Sequence, residues 1–402
     1  MKIVVLSSVY PSRYASEGVT PVVHYFAKEW SLSGNQVSVF HNESVFPRFY
    51  YLLGNAFGKA LYSRLGFPVP SKAPKRYDEI KDGVPISHLL IKKTFPHTRF
   101  SKRQLRKIVR FISDRIKTDG APDCIVGHWD NPQLELLCSL KSIFHCPTCL
   151  VFHNNDFRAI IKRYKGETIS LITSIDLVGF RSLSSQKAFE RQLFVHPRTF
   201  IAASGVSQLF LDKGMELIRS FDKINSFVFV GSLIERKKPL TVLEALEKSF
   251  GSLSFSITFI GDGEQKGRIS DYVSQSNCCG EVHLAGRLPR NEIVEYLIRS
   301  DVFVMVSKNE VFGLVYLEAM ALGCITIASR GEGMDGIIID GVNGFLCNAG
   351  DSQMLAELIS RIRLMDSDQL KRISLSAQKT AARYSDLNSA SSYLSELKSL
   401  VK

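Results

Sequence analysis

The sequence predicts an α/β protein of two domains, each built on a parallel sheet. Three observations carry that prediction. The 402 residues, 45% of them apolar, suit two cores better than one. Short apolar runs alternate with segments of helical spacing along most of the chain. The chain opens as a β-α-β unit, the connection that generates parallel sheets.

In order, IVVLSSV (3–9) predicts a strand and Gly18 a loop. Val22, Val23, Phe26, Ala27 and Trp30 set a helix over about 21–33, ended by Gly34, and QVSVF (36–40) predicts the next strand. From 41 to 98, aromatics and prolines interleave with basic residues, and irregular structure with short helices is expected. In KRQLRKIVRFISDRIK (102–117), Leu105, Ile108, Val109, Ile112 and Ile116 form an apolar stripe and Lys102, Arg103, Arg106, Lys107 and Arg110 a basic back. Pro122 and a strand follow at once, so the stripe is expected to pack on a sheet, with the basic face left to meet anionic headgroups. Further strands are expected at 123–128, 149–154, 199–204, 226–231, 254–263, 281–286, 301–307 and 324–329, with helices at 239–248, 290–299 and 314–322. Domains are placed at 1–215 and 226–380, with a short linker at 216–225. A terminal helix at 381–402, with Leu387, Tyr393, Leu394 and Leu397 on its apolar face, is expected to pack back toward the first domain.

Eight cysteines lie mostly in apolar surroundings, which suits reduced, buried thiols. Cys146-Pro-Thr-Cys149 has no partner pair, so no metal or redox site is expected. The opening MKIVVLSSVYPS does not read as a signal peptide, and no apolar run reaches the length of about 18 that a membrane span needs. A cytoplasmic protein is expected. Residues 1–225 hold 32 Lys/Arg against 18 Asp/Glu, a net of +14, whereas 226–402 hold 19 against 21. An anionic partner, or simply a solvated surface, is implied for the first half alone. No zinc-finger, RNA-binding or recognition-helix pattern accompanies that charge, which argues against nucleic acid.

Chemistry concentrates in a few places. In NEVFGLVYLEAMALG (309–323), Glu310 and Glu318 flank an apolar run, where a carboxylate is costly unless paired or facing a polar ligand. GSLIERKKP (231–239) joins a strand to a helix; Gly231 permits close approach, and Arg236, Lys237 and Lys238 bring cations to the helix start, which favours phosphate but is equally met in solvated lysines. FIGDGE places Gly261 and Gly263 in a tight turn that admits a ligand or merely turns the chain. His153 ends a strand, where α/β active sites form, with His128 in a comparable place.

Together these pieces resemble the retaining glycosyltransferases of family 4, the glycosyl transferases group 1, most strongly over 226–345. The resemblance implies a GT-B fold, in which two Rossmann-like parallel-sheet domains face a cleft. It assigns Glu310 to the hydroxyls of the transferred sugar and Glu318 to the ribose of a nucleotide-sugar. Lys237 matches the family's diphosphate lysine, with Arg236 or Lys238 compensating for the residue at Ser232, and the amides of Val311, Phe312, Gly313 and Leu314 would lie near the diphosphate and sugar. Arg287 and Leu288 match the base site, Gly18 the N-terminal glycine loop, and His153 a sugar-contacting histidine. Catalytic roles are thus expected for His153, Glu310 and Lys237, and donor contacts for these residues with Gly231, Gly261 and Gly263. No cofactor or metal is implied; the one DxD, Asp366-Ser367-Asp368, reads as a helix start. Departures are Ser232, where the family often has arginine, Gly336, where a loop glutamate is usual, and a short inter-domain connection.

The implied reaction moves a hexosyl unit, with retention, from a nucleotide-sugar to an acceptor hydroxyl in surface polysaccharide or glycolipid synthesis. A UDP-sugar is favoured over a GDP-sugar. The acceptor would be lipid-linked or a saccharide, met by FPRFYYLLGNAF (46–57) and the basic stretches at an anionic membrane face. The competing readings are a catalytically weakened nucleotide-sugar-binding protein and an epimerase or phosphorylase of the same architecture.

Overall fold

The structure is a computed structural model that describes residues 1–14, 21–47, 74–93, 98–275 and 280–401. The chain forms two compact units. The first comprises Met1–Arg181, Ser185–Ala203 and Leu387–Lys402; the second comprises Ser182–Ser184 and Ser204–Asp386.

In the first unit, β1 (Lys2–Ser7), α1 (Val22–Leu32), β2 (Gln36–Val45), β3 (Tyr77–Lys81), β4 (Val84–Lys92), α2 (Lys102–Asp119), β5 (Cys124–His128), α3 (Gln133–Phe144), β6 (Thr148–Phe152), α4 (Arg158–Tyr164), α5 (Thr168–Thr173), β7 (Leu177–Phe180), α6 (Leu183–Gln192) and β8 (Thr199–Ile201) follow in order. Eight strands make one sheet in the order β3-β4-β2-β1-β5-β6-β7-β8, parallel except for the β3–β4 hairpin. Every residue of β5, β6 and β7 is buried, as expected of parallel strands covered on both faces. The predicted stripe of α2 forms: Leu105, Ile108, Ile112 and Ile116 enter the core on one face of the sheet, beside α3. A capping box of Ser101 and Gln104 fixes where α2 starts.

The described part of 41–98 departs from the irregular structure expected there. β2 runs on to Val45, and β3 and β4 form a hairpin about Asp82-Gly83, whose positive φ values of 48° and 77° suit a tight hairpin turn. The alternation in YDEIK and VPISHLLIK was masked by the surrounding aromatic and basic composition. Gly18 and most of FPRFYYLLGNAF lie outside the described residues.

In the second unit, α7 (Gln208–Met215), β9 (Ser226–Val230), α8 (Pro239–Phe250), β10 (Ser256–Ile260), α9 (Gln265–Gln275), β11 (Glu281–Gly286), α10 (Arg290–Arg299), β12 (Val302–Val304), α11 (Leu314–Ala321), β13 (Ile325–Ser329), β14 (Phe345–Cys347), α12 (Ser352–Arg363) and α13 (Ser367–Arg383) follow. The sheet order is β11-β10-β9-β12-β13-β14, all parallel. The first strand of the unit thus lies beside the fourth. That neighbouring pair is the switch point, where strand order reverses and the loops after the strands diverge. Arg219 is tied into this unit by hydrogen bonds to the carbonyls of Leu322, Ser300 and Leu297 at 2.9, 2.6 and 2.6 Å. Asp366 caps α13 through the amide of Gln369, as its reading as a helix start predicts.

The last helix, α14 (Asp386–Lys398), belongs from Leu387 onward to the first unit. Tyr393, Leu394 and Leu397 bury against the sheet face opposite α2, and the Trp30 indole donates to the Ala390 carbonyl at 2.9 Å. Leu387, predicted on the apolar face, is 55% exposed at the helix start.

Candidate functional site

The loops after β9 and β12 carry the charged residues singled out in the sequence. After β9 the chain makes a 3-10 turn, Glu235–Lys237, and Lys238 adopts a left-handed conformation that brings Pro239 to the first position of α8. Both side chains of the Lys237–Glu310 ion pair are largely buried. Ser307 Oγ donates to the same carboxylate oxygen at 3.2 Å, and Arg236 stands 3.9 Å from it while donating to the Asn309 carbonyl at 3.2 Å. Burial alone would raise the Glu310 carboxyl; the charge and hydrogen bond of Lys237 outweigh it and hold Glu310 below the usual carboxylate range. Burial draws Lys237 down from its ordinary value, against the pull of Glu310. An ammonium has three donors, so the pairing with Glu310 does not exhaust it.

Glu318 lies on α11, 5% exposed, and is paired with Arg290 at the start of α10. Burial raises its carboxyl above the ordinary range, and Arg290 only partly offsets this. The two carboxylates therefore stand on opposite sides of their usual value for one physical reason: the cation beside Glu310 wins against desolvation, and the one beside Glu318 does not.

Between them, Gly313 caps α11 with φ +81°, and a Cβ there would fall 2.5 Å from the Tyr316 ring. Among the described residues no side chain caps this helix, whose N-terminus at Leu314 follows directly on the loop of Val311, Phe312 and Gly313; within the first turn the Tyr316 amide donates to the Gly313 carbonyl at 3.0 Å. The preceding loop is held from below. Glu332 accepts from the amides of Asn309 and Glu310 at 2.9 and 2.7 Å, and the Gly333 amide donates to the Glu310 carbonyl at 2.9 Å.

Gly261 and Gly263 have a structural duty. A Cβ on Gly261 would lie 1.9 Å from the Gly231 carbonyl oxygen, and one on Gly263 would lie 2.3 Å from that of Leu233. These glycines let the loop after β10 pack on the loop after β9, with the Leu233 amide donating to Asp262 at 3.0 Å. Arg287 and Leu288 sit between β11 and α10, the arginine exposed and the leucine half-buried. The second unit thus gathers Gly231, Arg236, Lys237, Gly261, Gly263, Arg287, Leu288, Glu310 to Leu314 and Glu318 on loops and helix starts along the C-terminal edge of its sheet.

In the first unit, His153 follows β6. Its Nε2 lies 3.0 Å from Nδ1 of His128, and its ring stacks on Trp129 at 3.8 Å. Burial, then the positive charge of Arg181 and the neighbouring His128, push His153 well below the usual histidine range; burial followed by Arg181 takes His128 down to about 3. Both rings are neutral at physiological pH, so His153 offers hydrogen bonds rather than a charge.

Arg290 and Glu332 escaped the sequence reading. Arg290 follows a proline at a helix start and looks like any solvated basic residue. Glu332 stands in SRGEGMDG, where attention fell on Gly336, four residues later. A buried Glu318 required a cation, and that requirement was the available signal for Arg290.

The family model for glycosyl transferases group 1 matches residues 216–380. An uncharacterised glycosyltransferase of Methanocaldococcus jannaschii is 25% identical over 259 residues, 64% of this chain and 69% of that protein. The lipopolysaccharide core biosynthesis glycosyltransferase LpsE of Rhizobium meliloti is 32% identical over 133 residues, 33% of this chain and 38% of LpsE. Among solved structures, Anabaena HepE in complex with UDP-glucose superposes with a TM-score of 0.64 at 20% identity, covering 100% of both chains. The second unit thus matches the glycosyl transferases group 1 model over residues 216–380, and the two units together have the GT-B fold.

Proposed function

We propose that this protein transfers a hexosyl unit from a UDP-sugar to an acceptor hydroxyl, with retention of anomeric configuration. The observation that carries this reading is the pair of buried ion pairs, Lys237–Glu310 and Arg290–Glu318, at one edge of the second sheet. Each presents a carboxylate to accept from hydroxyls and a cation to meet phosphate, the chemistry a nucleotide-sugar requires. In this reading Glu310 accepts from sugar hydroxyls and Glu318 from the ribose. Arg287 and Leu288 flank the base, and Gly231 lets the backbone approach the donor. Lys237, with Arg236 and the first-turn amides of α11, stabilises the diphosphate as it leaves, and the diphosphate takes the acceptor proton. UDP is preferred because HepE, which shares the fold, was solved with UDP-glucose. Neutral His153 is the first unit's proposed contribution, a hydrogen-bond partner for sugar.

The acceptor is proposed to be a saccharide or lipid-linked saccharide of surface polysaccharide or glycolipid synthesis, the setting named for LpsE. Among the described residues no helix is long and apolar enough to cross a membrane. The +14 of residues 1–225 supports peripheral attachment to an anionic cytoplasmic membrane face. Flotation with neutral and anionic vesicles checks this: the protein rises with anionic vesicles only, and equal, negligible recovery with both rejects attachment. The reaction itself is tested by incubating the protein with UDP-hexoses and a panel of lipid-linked and free saccharides. UDP release together with a product whose anomeric proton coupling matches the donor supports the proposal. Epimerised donor, or phosphate-dependent cleavage without transfer, rejects it.

A further inference from the structure

The first sheet carries a second polar cluster, separate from every residue assigned above. His41 and Glu43 are two apart on β2 and so share a face, and His88 stands opposite His41 in the parallel β2–β4 pairing. All three are buried, and one ligand atom from each lies within 4.8 Å of the others.

The hydrogen bonds around this cluster leave an electrostatic problem. Nδ1 of His41 lies 2.9 Å from Nδ1 of His88. On its far side, Nε2 of His88 faces the Glu79 carboxylate at 2.9 Å, and the His41 ring also hydrogen-bonds the Ser8 backbone. A ring nitrogen that meets an oxygen acceptor carries the proton, which leaves the other nitrogen with a bare lone pair. With both protons on the outer nitrogens, the two Nδ1 lone pairs face each other at hydrogen-bond distance; a metal ion bridging them satisfies both, as a further proton on one ring would do otherwise. Oε2 of Glu43 is buried on the same face and has no hydrogen-bond partner among the described residues, a costly state for a carboxylate oxygen.

We propose that Nδ1 of His41, Nδ1 of His88 and the carboxylate of Glu43 bind a divalent metal ion of the zinc class. Two imidazoles and one carboxylate suit zinc, whereas calcium and magnesium favour all-oxygen sets. Zinc–nitrogen bonds of about 2.0–2.1 Å at a tetrahedral angle would set the two nitrogens about 3.3 Å apart, so the pair needs to open by only about 0.4 Å. Glu79 is the positioning residue: it fixes the His88 tautomer, in the carboxylate–histidine–metal arrangement that such sites commonly use. The Tyr77 ring, stacked on His88 at 4.0 Å and 12°, fixes the imidazole plane. The ion would clamp β2 to β4.

The test uses the untagged full chain, stripped with a chelator and titrated with Zn2+ and with Co2+ as a spectroscopic probe. Bound metal is measured after gel filtration. The expected result is one equivalent per chain, with visible d–d bands of tetrahedral intensity and a thermal midpoint that rises on metal addition. His41→Ala and His88→Ala should each weaken binding at least 100-fold. Glu43→Gln should weaken it while keeping the shape of the site, and Glu79→Gln should cost about 10–100-fold as a positioning residue. Should an alanine variant fail to fold, the two glutamine variants, checked by circular dichroism, decide the question. Absence of saturable binding by the folded wild type, or binding and spectra unchanged in the variants, overturns the proposal. Scalar coupling across the two Nδ1 atoms in metal-treated protein would give the position to a shared proton and would also overturn it.

Discussion

Glu310 and Glu318 meet the same desolvation cost with different cations, and their responses to change should differ accordingly. Removing Arg290 leaves Glu318 buried without its counter-ion, a loss of about 3–5 kcal/mol for a buried pair broken on one side. Arg290→Ala should therefore lower the unfolding midpoint in denaturant, whereas Arg290→Lys should restore part of it. The pH dependence has a definite sign. Glu318 titrates above the ordinary carboxylate range because burial disfavours its charge, so donor affinity should fall as pH drops through that raised value. Arg290 lowers this pKa, so its removal should move the loss of affinity to still higher pH, readable in donor Kd against pH. Glu310 behaves oppositely. Its folded pKa is depressed, so its stabilising contribution is present above the ordinary carboxylate value and is lost only as pH falls through the depressed one. Lys237→Ala should cost about 10²–10³-fold in kcat by removing a cation from the leaving diphosphate, measured as the initial rate of UDP release. The two glutamates were legible because a carboxylate in an apolar run demands explanation. Arg290 and Glu332 were not, because their partners come from distant segments and nothing in their own neighbourhoods separates them from solvated charges.

At the scale of elements, the C-terminal edge of the second sheet depends on two loops that interlock through backbone. Gly261→Ala would place a methyl 1.9 Å from a carbonyl oxygen, at φ +149°. Main chain cannot yield as a flexible side chain can, so the loops after β9 and β10 must separate. The expected outcome is a destabilisation of more than about 2 kcal/mol with loss of donor binding, checked by thermal unfolding and by titration with the donor. The β-α-β opening and the strands of the second unit were legible because their apolar runs are short, frequent and bounded by turn residues. The β3–β4 hairpin was not, although Asp82-Gly83 marks its turn, since the strands it joins carry charge on exposed positions and a histidine, His88, on a buried one. The same arrangement hid the cluster of His41, Glu43 and His88: strand pairing gathers residues whose sequence spacing carries no ligand pattern, which is why the sequence predicted no metal.

At the scale of the whole molecule, the first unit is completed by the end of the chain. Tyr393 packs against Phe26, Trp30 and Phe200, with ring centroids 5.3, 4.9 and 4.7 Å away. Tyr393→Ala should destabilise the protein by about 3–5 kcal/mol, the cost of emptying a large aromatic site, measured as a shift of the denaturant midpoint. The sequence showed the apolar face of this helix but not its hydrogen bond from Trp30, which depends on how the indole is oriented. The central claim is that the second unit binds a UDP-sugar through Lys237 and Glu318. The most direct measurement is saturation-transfer NMR of the purified chain with UDP-, GDP-, ADP- and dTDP-sugars, repeated on folded Lys237→Ala and Glu318→Ala. The account predicts transfer to a UDP-sugar in the wild type and its loss in both variants; folded wild type that binds none of the donors, or binding that both variants retain, would contradict it.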